Sequence, residues 1–310
     1  ARASPGSPVS IAFRDAYHGA TYGAPAGTGV HGFRHTVAQL PNITFAADPN
    51  QYRGIFGADT DPYLDEIDRT IAYTTSGSVA AMLIEPVQGY GGIIAMPAGY
   101  MKSAAEKVRA AGGLMIIDEV QSGFGKTGDS MWCFDSHDVV PDIMIIAKGM
   151  GNGIPIGAVV VKKEIAEVMD GKFLFHTYGA NPVACAAARA VLRVIREDNM
   201  IDNAKTVGAK LHEGLLQLKE RYDIIGDVRG RGFMQAVELV KDRDTKEPAP
   251  DHTAFVFERT REHGLILSKS GTYKNVLRMV PPLCLQMEDV QPVLDAYDRS
   301  FADLEKAGLD

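Results

Sequence analysis

The sequence is poor in cysteine, in long apolar runs and in clustered positive charge. Its three cysteines, Cys133, Cys185 and Cys284, are widely spaced and odd in number. That argues against a disulfide framework and fits free thiols in a reducing compartment. No pair of them has zinc-ligand spacing, and no histidine pair has the H-E-x-x-H form, so no metal site is expected. No apolar run approaches the about 18 residues that span a bilayer. The first residues lack the basic-then-apolar order of a secretory signal. The formal charge is −7, the sequence pI is near 5.6, and no dense Lys/Arg block appears. These features speak against a nucleic-acid binder and against a membrane anchor. The expected compartment is the cytoplasm, or the mitochondrial matrix in a eukaryote. Internal repeats and low-complexity segments are also missing.

What is present is an ordinary apolar share, 45% of 310 residues, enough for one large domain or two unequal ones. Continuous apolar runs at Val9–Phe13, Ala80–Ile84, Leu114–Ile117, Ile143–Ala147 and Ile156–Val161 suit parallel strands covered on both faces. A helical stretch, Tyr100–Ala111, precedes Gly112-Gly113, which stops it. Strand, helix, strand is an α/β pattern with right-handed crossovers. Asn181-Pro182 reads as a helix start, with helical stretches over Cys185–Arg196 and Ala204–Arg221. A Gly-rich turn, short strands and two more helices follow. The expected division is a large domain over 1–205 and a smaller α+β domain over 206–310.

Two charged residues end buried runs. Asp118 closes the Leu114–Ile117 run, and Lys148 follows thirty positions later behind Ile143–Ala147. The carboxyl ends of parallel strands are where α/β sheets bind ligands. An amine and an acid there are what pyridoxal phosphate (PLP) requires. The amine forms a Schiff base with the cofactor aldehyde, and the acid keeps the pyridine nitrogen protonated. Taken singly, Asp118 also fits a loop cap, and Lys148 a solvated strand end.

Seven blocks, in order along nearly the whole chain, resemble the class III (ω-) aminotransferases of PLP fold type I. They are Ala16-Tyr17-His18-Gly19, Ile84–Gly89, Ile117–Gly125, Ala147–Pro155, Thr177–Pro182, Val228–Gly232 and Leu277–Leu283. The resemblance implies a mainly parallel sheet flanked by helices, with a smaller C-terminal α+β domain. It implies that Lys148 holds PLP and carries the proton between substrate and cofactor. Asp118 becomes the partner of the pyridine nitrogen. Tyr17 and Val120 would cover the two ring faces, and Gln121 would bond the ring hydroxyl oxygen. His18 is placed with the cofactor-binding residues. Thr177 would reach the phosphate of a neighbouring subunit's cofactor, which implies a homodimer with shared sites. Arg278 would grip the substrate carboxylate with two parallel bonds. Arg229 and Arg231 read as mainly structural, and Glu85 as an orienting acid.

Two departures matter. Family members carry an upstream phosphate loop rich in Gly and Ser/Thr. Nothing here matches it, and Ala1–Ser10 resemble only the stretch that follows. Residues 1–310 alone are therefore expected to bind PLP weakly and to be poorly active. Second, relatives acting on 4-aminobutyrate or ornithine carry a glutamate directly after the Gln-Gly pair. Tyr90 stands here, which favours small acceptors such as pyruvate or glyoxylate over 2-oxoglutarate. The wording of the blocks is closest to the alanine–glyoxylate aminotransferase 2 branch. The expected donors are alanine, β-alanine or 3-aminoisobutyrate. The alternatives are a 4-aminobutyrate/ornithine-type enzyme using 2-oxoglutarate, or a catalytically impaired fragment. A nucleotide-triphosphatase reading of Gly125-Lys126-Thr127 fails, because Val120 occupies the position where a phosphate loop needs its first glycine.

Overall fold

The computed structural model describes residues 6–34 and 40–309. Part of the opening stretch Ala1–Ser10, namely 1–5, lies outside the described residues, as do 35–39 and 310. Two compact units share the chain. The first comprises Ala1–Val87, Met96–Phe124 and Ser130–Asp198; the second comprises Gln88–Ala95, Gly125–Asp129 and Asn199–Asp310.

The first unit is built on a six-stranded sheet in the order Ile43–Ala46, Ser10–Phe13, Ala81–Ile84, Leu114–Asp118, Ile143–Ile146, Ala158–Val161. The first five strands run parallel. Their continuous apolar character has a direct cause. Ile11, Phe13, Met82, Ile84, Met115 and Ile117 are fully buried, and helices Asp61–Thr74 and Tyr100–Ala110 add Tyr63, Ile67, Met101 and Val108 to the same core. Gly112, at φ +77°, turns the chain after the second helix.

The sixth strand departs from the parallel expectation. Ala158–Val161 pairs antiparallel with Ile143–Ile146. The connection, residues 147–157, is shorter than the crossover of a dozen or more residues that a parallel return needs. As an edge strand it is also less covered, with Val159 and Val160 exposed. The Ile43–Ala46 strand was not expected from its sequence. Its residues are mostly half-buried, so it lacks the run that marks the others. The Asn181-Pro182 start is as expected. The Asn181 Oδ1 accepts the backbone N–H of Val183 at 3.0 Å and of Ala184 at 3.2 Å, and the helix runs Pro182–Glu197.

The second unit holds a four-stranded antiparallel sheet ordered Ser268–Ser270, Val276–Met279, Met234–Leu239, Ile225–Arg231. Helices Met200–Arg221, Pro250–Glu262 and Val290–Ala307 accompany it. Leu211, Leu215, Phe233, Val237, Tyr297 and Phe301 form its core. Thr206 lies inside the helix Met200–Arg221, which belongs whole to this unit.

Candidate active site

The carboxyl ends of four adjacent parallel strands collect the polar residues of the first unit. Asp118 ends its strand and pairs in register with Ile145 of the next. Its side chain is buried, and both oxygens are held. Oδ2 lies 2.8 Å from Nδ1 of His18, and Oδ1 accepts the Val120 N–H at 3.0 Å. The His18 side chain is only 3% exposed, and its Nε2 is buried without a hydrogen-bond partner among the described residues. A buried polar atom left in this way costs free energy unless something meets it.

Tyr17 and His18 follow the Ser10–Phe13 strand. The Tyr17 N–H donates to Glu85 Oε1 at 3.0 Å, and the His18 N–H to Thr28 Oγ1 at 3.1 Å. Glu85 is buried, directly after the neighbouring Ala81–Ile84 strand. It therefore orients backbone, at Tyr17. The Tyr17 ring lies 4.6 Å from that of Phe33, tilted by 58°. Val120 and Gln121 are half-buried in the turn that follows Asp118.

Lys148 comes two residues after the Ile143–Ile146 strand. Its backbone has φ +43°, the left-handed region that L-residues seldom adopt. The residue is exposed, as is Gly149 beside it. Thr177 is exposed too, ahead of the Asn181 cap and within a strip of uncovered apolar side chains, Phe173, Leu174, Phe175 and Tyr178.

Arg278 belongs to the second unit. It sits on Val276–Met279 between Ala236 and Ser268, and its Nε donates to Ser268 Oγ at 3.0 Å. Arg229 is tied to Asp227 at 2.8 Å and to Glu238 at 2.7 Å, and it donates to the Gly92 carbonyl, a structural role. Arg231 pairs with Asp129.

Sequence reasoning gave no role to Glu119. It is fully buried and accepts bonds from the Ser122 hydroxyl at 2.7 Å and the Phe134 N–H at 2.8 Å. The signal was present as an acid next to Asp118. Alternation along the strand end turns one acid toward the ligand edge and the other into the protein.

The residues of the first unit fit PLP. A carboxylate locked by two donors suits a protonated pyridine nitrogen. The unpartnered His18 Nε2 shows a polar network still incomplete beside it.

The family model for class III aminotransferases matches residues 1–301. Over 292 residues the chain is 44% identical to "Alanine--glyoxylate aminotransferase 2 homolog 2, mitochondrial" of Arabidopsis thaliana, covering 94% of this chain and 61% of that protein. It is 40% identical over 225 residues to "Ethanolamine-phosphate phospho-lyase homolog 1" of Caenorhabditis elegans, covering 71% of this chain and 48% of that one. The chain thus spans less than two thirds of the length of these relatives. Among solved structures, an amine transaminase from an uncultivated Pseudomonas species in a PLP-bound form matches with a TM-score of 0.89 and 32% identity, over 96% of this chain and 70% of that one. The chain belongs to the class III aminotransferases.

Proposed function

We propose that the protein containing this chain is a PLP-dependent transaminase. It moves an amino group from an alanine-, β-alanine- or 3-aminoisobutyrate-type donor to a small 2-oxo acid such as glyoxylate or pyruvate. The observation that carries this reading is Asp118, held by His18 and Val120 at the end of one parallel strand, with Lys148 beyond the end of the next. PLP, when bound, supplies an electron sink for the electrons left when a bond at the substrate carbon breaks. The Lys148 amine would hold the cofactor and, once substrate displaces it, move the proton at the substrate α-carbon. Asp118 would keep the proton on the pyridine nitrogen. Tyr17 and Val120 would cover the ring faces, with His18 behind Asp118. Gln121 would donate to the ring hydroxyl oxygen. Arg278 would bind the substrate carboxylate through its forked guanidinium. On this reading the 1–205 portion is the cofactor domain and 206–310 the smaller one, except that the helix Met200–Arg221 goes whole with the smaller domain.

The acceptor follows from Tyr90. No carboxylate stands there to neutralise Arg278, and the Arabidopsis relative's name points to the same substrates. The compartment is aqueous and reducing, cytoplasm or mitochondrial matrix. No described helix is long and apolar enough to cross a membrane.

A homodimer is part of the proposal. Phe173, Leu174, Phe175 and Tyr178 are 92%, 80%, 70% and 84% exposed, with Val159 and Val183 above 60%. Apolar surface gathered in this way marks an association face. Thr177 lies within it, where it would meet the phosphate of the other subunit's cofactor. Light scattering on the full-length protein should return twice the monomer mass, and a monomer would refute the shared site.

The deciding experiment uses the full-length protein with added PLP. Borohydride reduction followed by peptide mass spectrometry should place the cofactor on Lys148. Label on another lysine would overturn the assignment. A panel of donors against pyruvate, glyoxylate and 2-oxoglutarate then tests Tyr90. Strong preference for 2-oxoglutarate would sink that argument, and phosphate release from phosphoethanolamine would point to the lyase chemistry named for the Caenorhabditis relative.

A further inference from the structure

Glu119 lies between two residues of the proposed cofactor site yet faces neither the cofactor nor solvent. Backbone and side-chain hydrogen bonds fix it. Its N–H donates to the Ile145 carbonyl at 2.9 Å, and its carbonyl accepts the Gly123 N–H at 3.0 Å. One carboxyl oxygen accepts the Ser122 hydroxyl at 2.7 Å, and the other accepts the Phe134 N–H at 2.8 Å. The residue is 0% exposed.

These bonds converge on the turn 119–124. Val120 and Gln121 follow Glu119 in it, and Asp118 precedes it. Phe124 ends it in the left-handed region, at φ +61°. The Phe124 ring meets the Trp132 ring edge-on at 4.9 Å. A Cβ added to Gly149 would stand 3.6 Å from Phe124 Cδ2. The turn therefore lies close to the corner that carries Lys148, with room for about one carbon between Gly149 and the Phe124 ring. A Cβ at Gly123 would approach the Glu119 carbonyl to 2.7 Å and the Trp132 ring to 3.1 Å, so the turn has no slack.

We propose that Glu119 is a positioning residue of this site, its carboxyl bolting the 119–124 turn to the Trp132–Phe134 segment so that Asp118, Val120, Gln121 and the Lys148–Gly149 corner keep a single arrangement. The proposal rests on the PLP reading above and adds a residue that touches neither cofactor nor substrate. Carrying an acid in such a place has a cost. Burial pushes the Glu119 carboxyl up to about 7, against the pull of the Ser122 and Phe134 bonds. A buried acid that expensive is unneeded if the turn can hold itself.

The test uses full-length protein loaded with PLP, in three variants. Glu119→Ala removes every bond made by the carboxyl. Ser122→Ala removes one. Glu119→Gln keeps an acceptor for the Phe134 N–H and an amide for the Ser122 hydroxyl. Two readouts are taken, the pH titration of the visible band of bound PLP, and hydrogen exchange at 120–124 without cofactor. Glu119→Ala should shift the midpoint of that titration and speed exchange in the turn at least about tenfold, with Ser122→Ala between it and wild type. Glu119→Gln should restore both readouts to within about threefold of wild type. Unchanged titration and exchange in both alanine variants would overturn the proposal, and so would a Glu119→Gln variant as impaired as Glu119→Ala. If wild-type protein shows no visible band, the PLP reading fails by itself. The exchange rates then still decide whether Glu119 holds the turn.

Discussion

His18 Nδ1 and Asp118 Oδ2 lie 2.8 Å apart, one hundred residues apart in sequence, with both side chains under 10% exposed. The segment that follows the Ser10–Phe13 strand is thereby joined to the end of the Leu114–Asp118 strand, across the Ala81–Ile84 strand that lies between them in the sheet. Replacing His18 by Leu leaves that oxygen buried and unpaired, a loss of about 1–3 kcal/mol. Thermal melts of His18→Leu should fall accordingly, with His18→Asn between the variant and wild type. Asp118→Asn should lower kcat at least about a hundredfold, ~2.7 kcal/mol in the barrier, with a smaller effect on folding. A His18→Leu protein that melts like wild type would remove the pair from the stability account.

Asp142 gives the clearest pH dependence. It is buried and accepts the Met115 N–H at 2.8 Å, and it pairs with Arg109 at 3.1 Å and with Lys162 at 2.5 Å. Burial raises its carboxyl, but these partners outweigh that and hold it below the usual 3.8. A depressed folded pKa contributes stability that is fully present above the unfolded value. That stability is lost as pH falls through the folded value. Melting temperature should therefore drop as the protein is taken below pH 4. Asp142→Asn should melt lower than wild type at pH 7 and show a flatter acid limb. Parallel acid limbs in the two proteins would show that other carboxyls set the slope.

Gly208 tests the packing of the second unit. It lies in the helix Met200–Arg221, and a Cβ there would sit 2.3 Å from the Gly232 carbonyl oxygen. The obstacle is backbone, so neither side can yield cheaply. Alanine usually strengthens a helix by up to about 1 kcal/mol relative to glycine. Here Gly208→Ala should instead destabilise by about 1–3 kcal/mol, the scale of overpacking. Denaturant midpoints decide the sign, and a stabilised variant would show that helix and turn separate easily.

Much of this was legible in the sequence because buried parallel strands leave continuous apolar runs. Val9–Phe13 through Ile143–Ala147 stand within a residue or two of where those runs placed them. The Asn181 cap and the Gly112 stop were legible for a similar reason, since each depends on one residue's local chemistry. The Ile43–Ala46 strand escaped because half-buried residues carry no run. The reversal of Ala158–Val161 was hidden because apolarity reports burial and not direction. The places of Asp118 at one strand end and of Lys148 just beyond the next were legible from the apolar runs that precede them. The contacts of His18 with Asp118, and of Glu85 with Tyr17, are long-range pairings that no local pattern encodes. Glu119 was hidden by its neighbour, because an acid beside an acid reads as one motif until strand alternation separates their surroundings.

The left-handed backbone at Lys148 has a last consequence. At φ +43° a side chain is tolerated at a cost of about 1–2 kcal/mol, and glycine escapes most of it. Under the proposed function no glycine can stand there, because the amine is the reactive group. A Lys148→Gly protein without cofactor should thus unfold at a higher temperature than wild type while being unable to capture PLP. At this corner durability and reactivity select different residues, and the sequence has kept the reactive one.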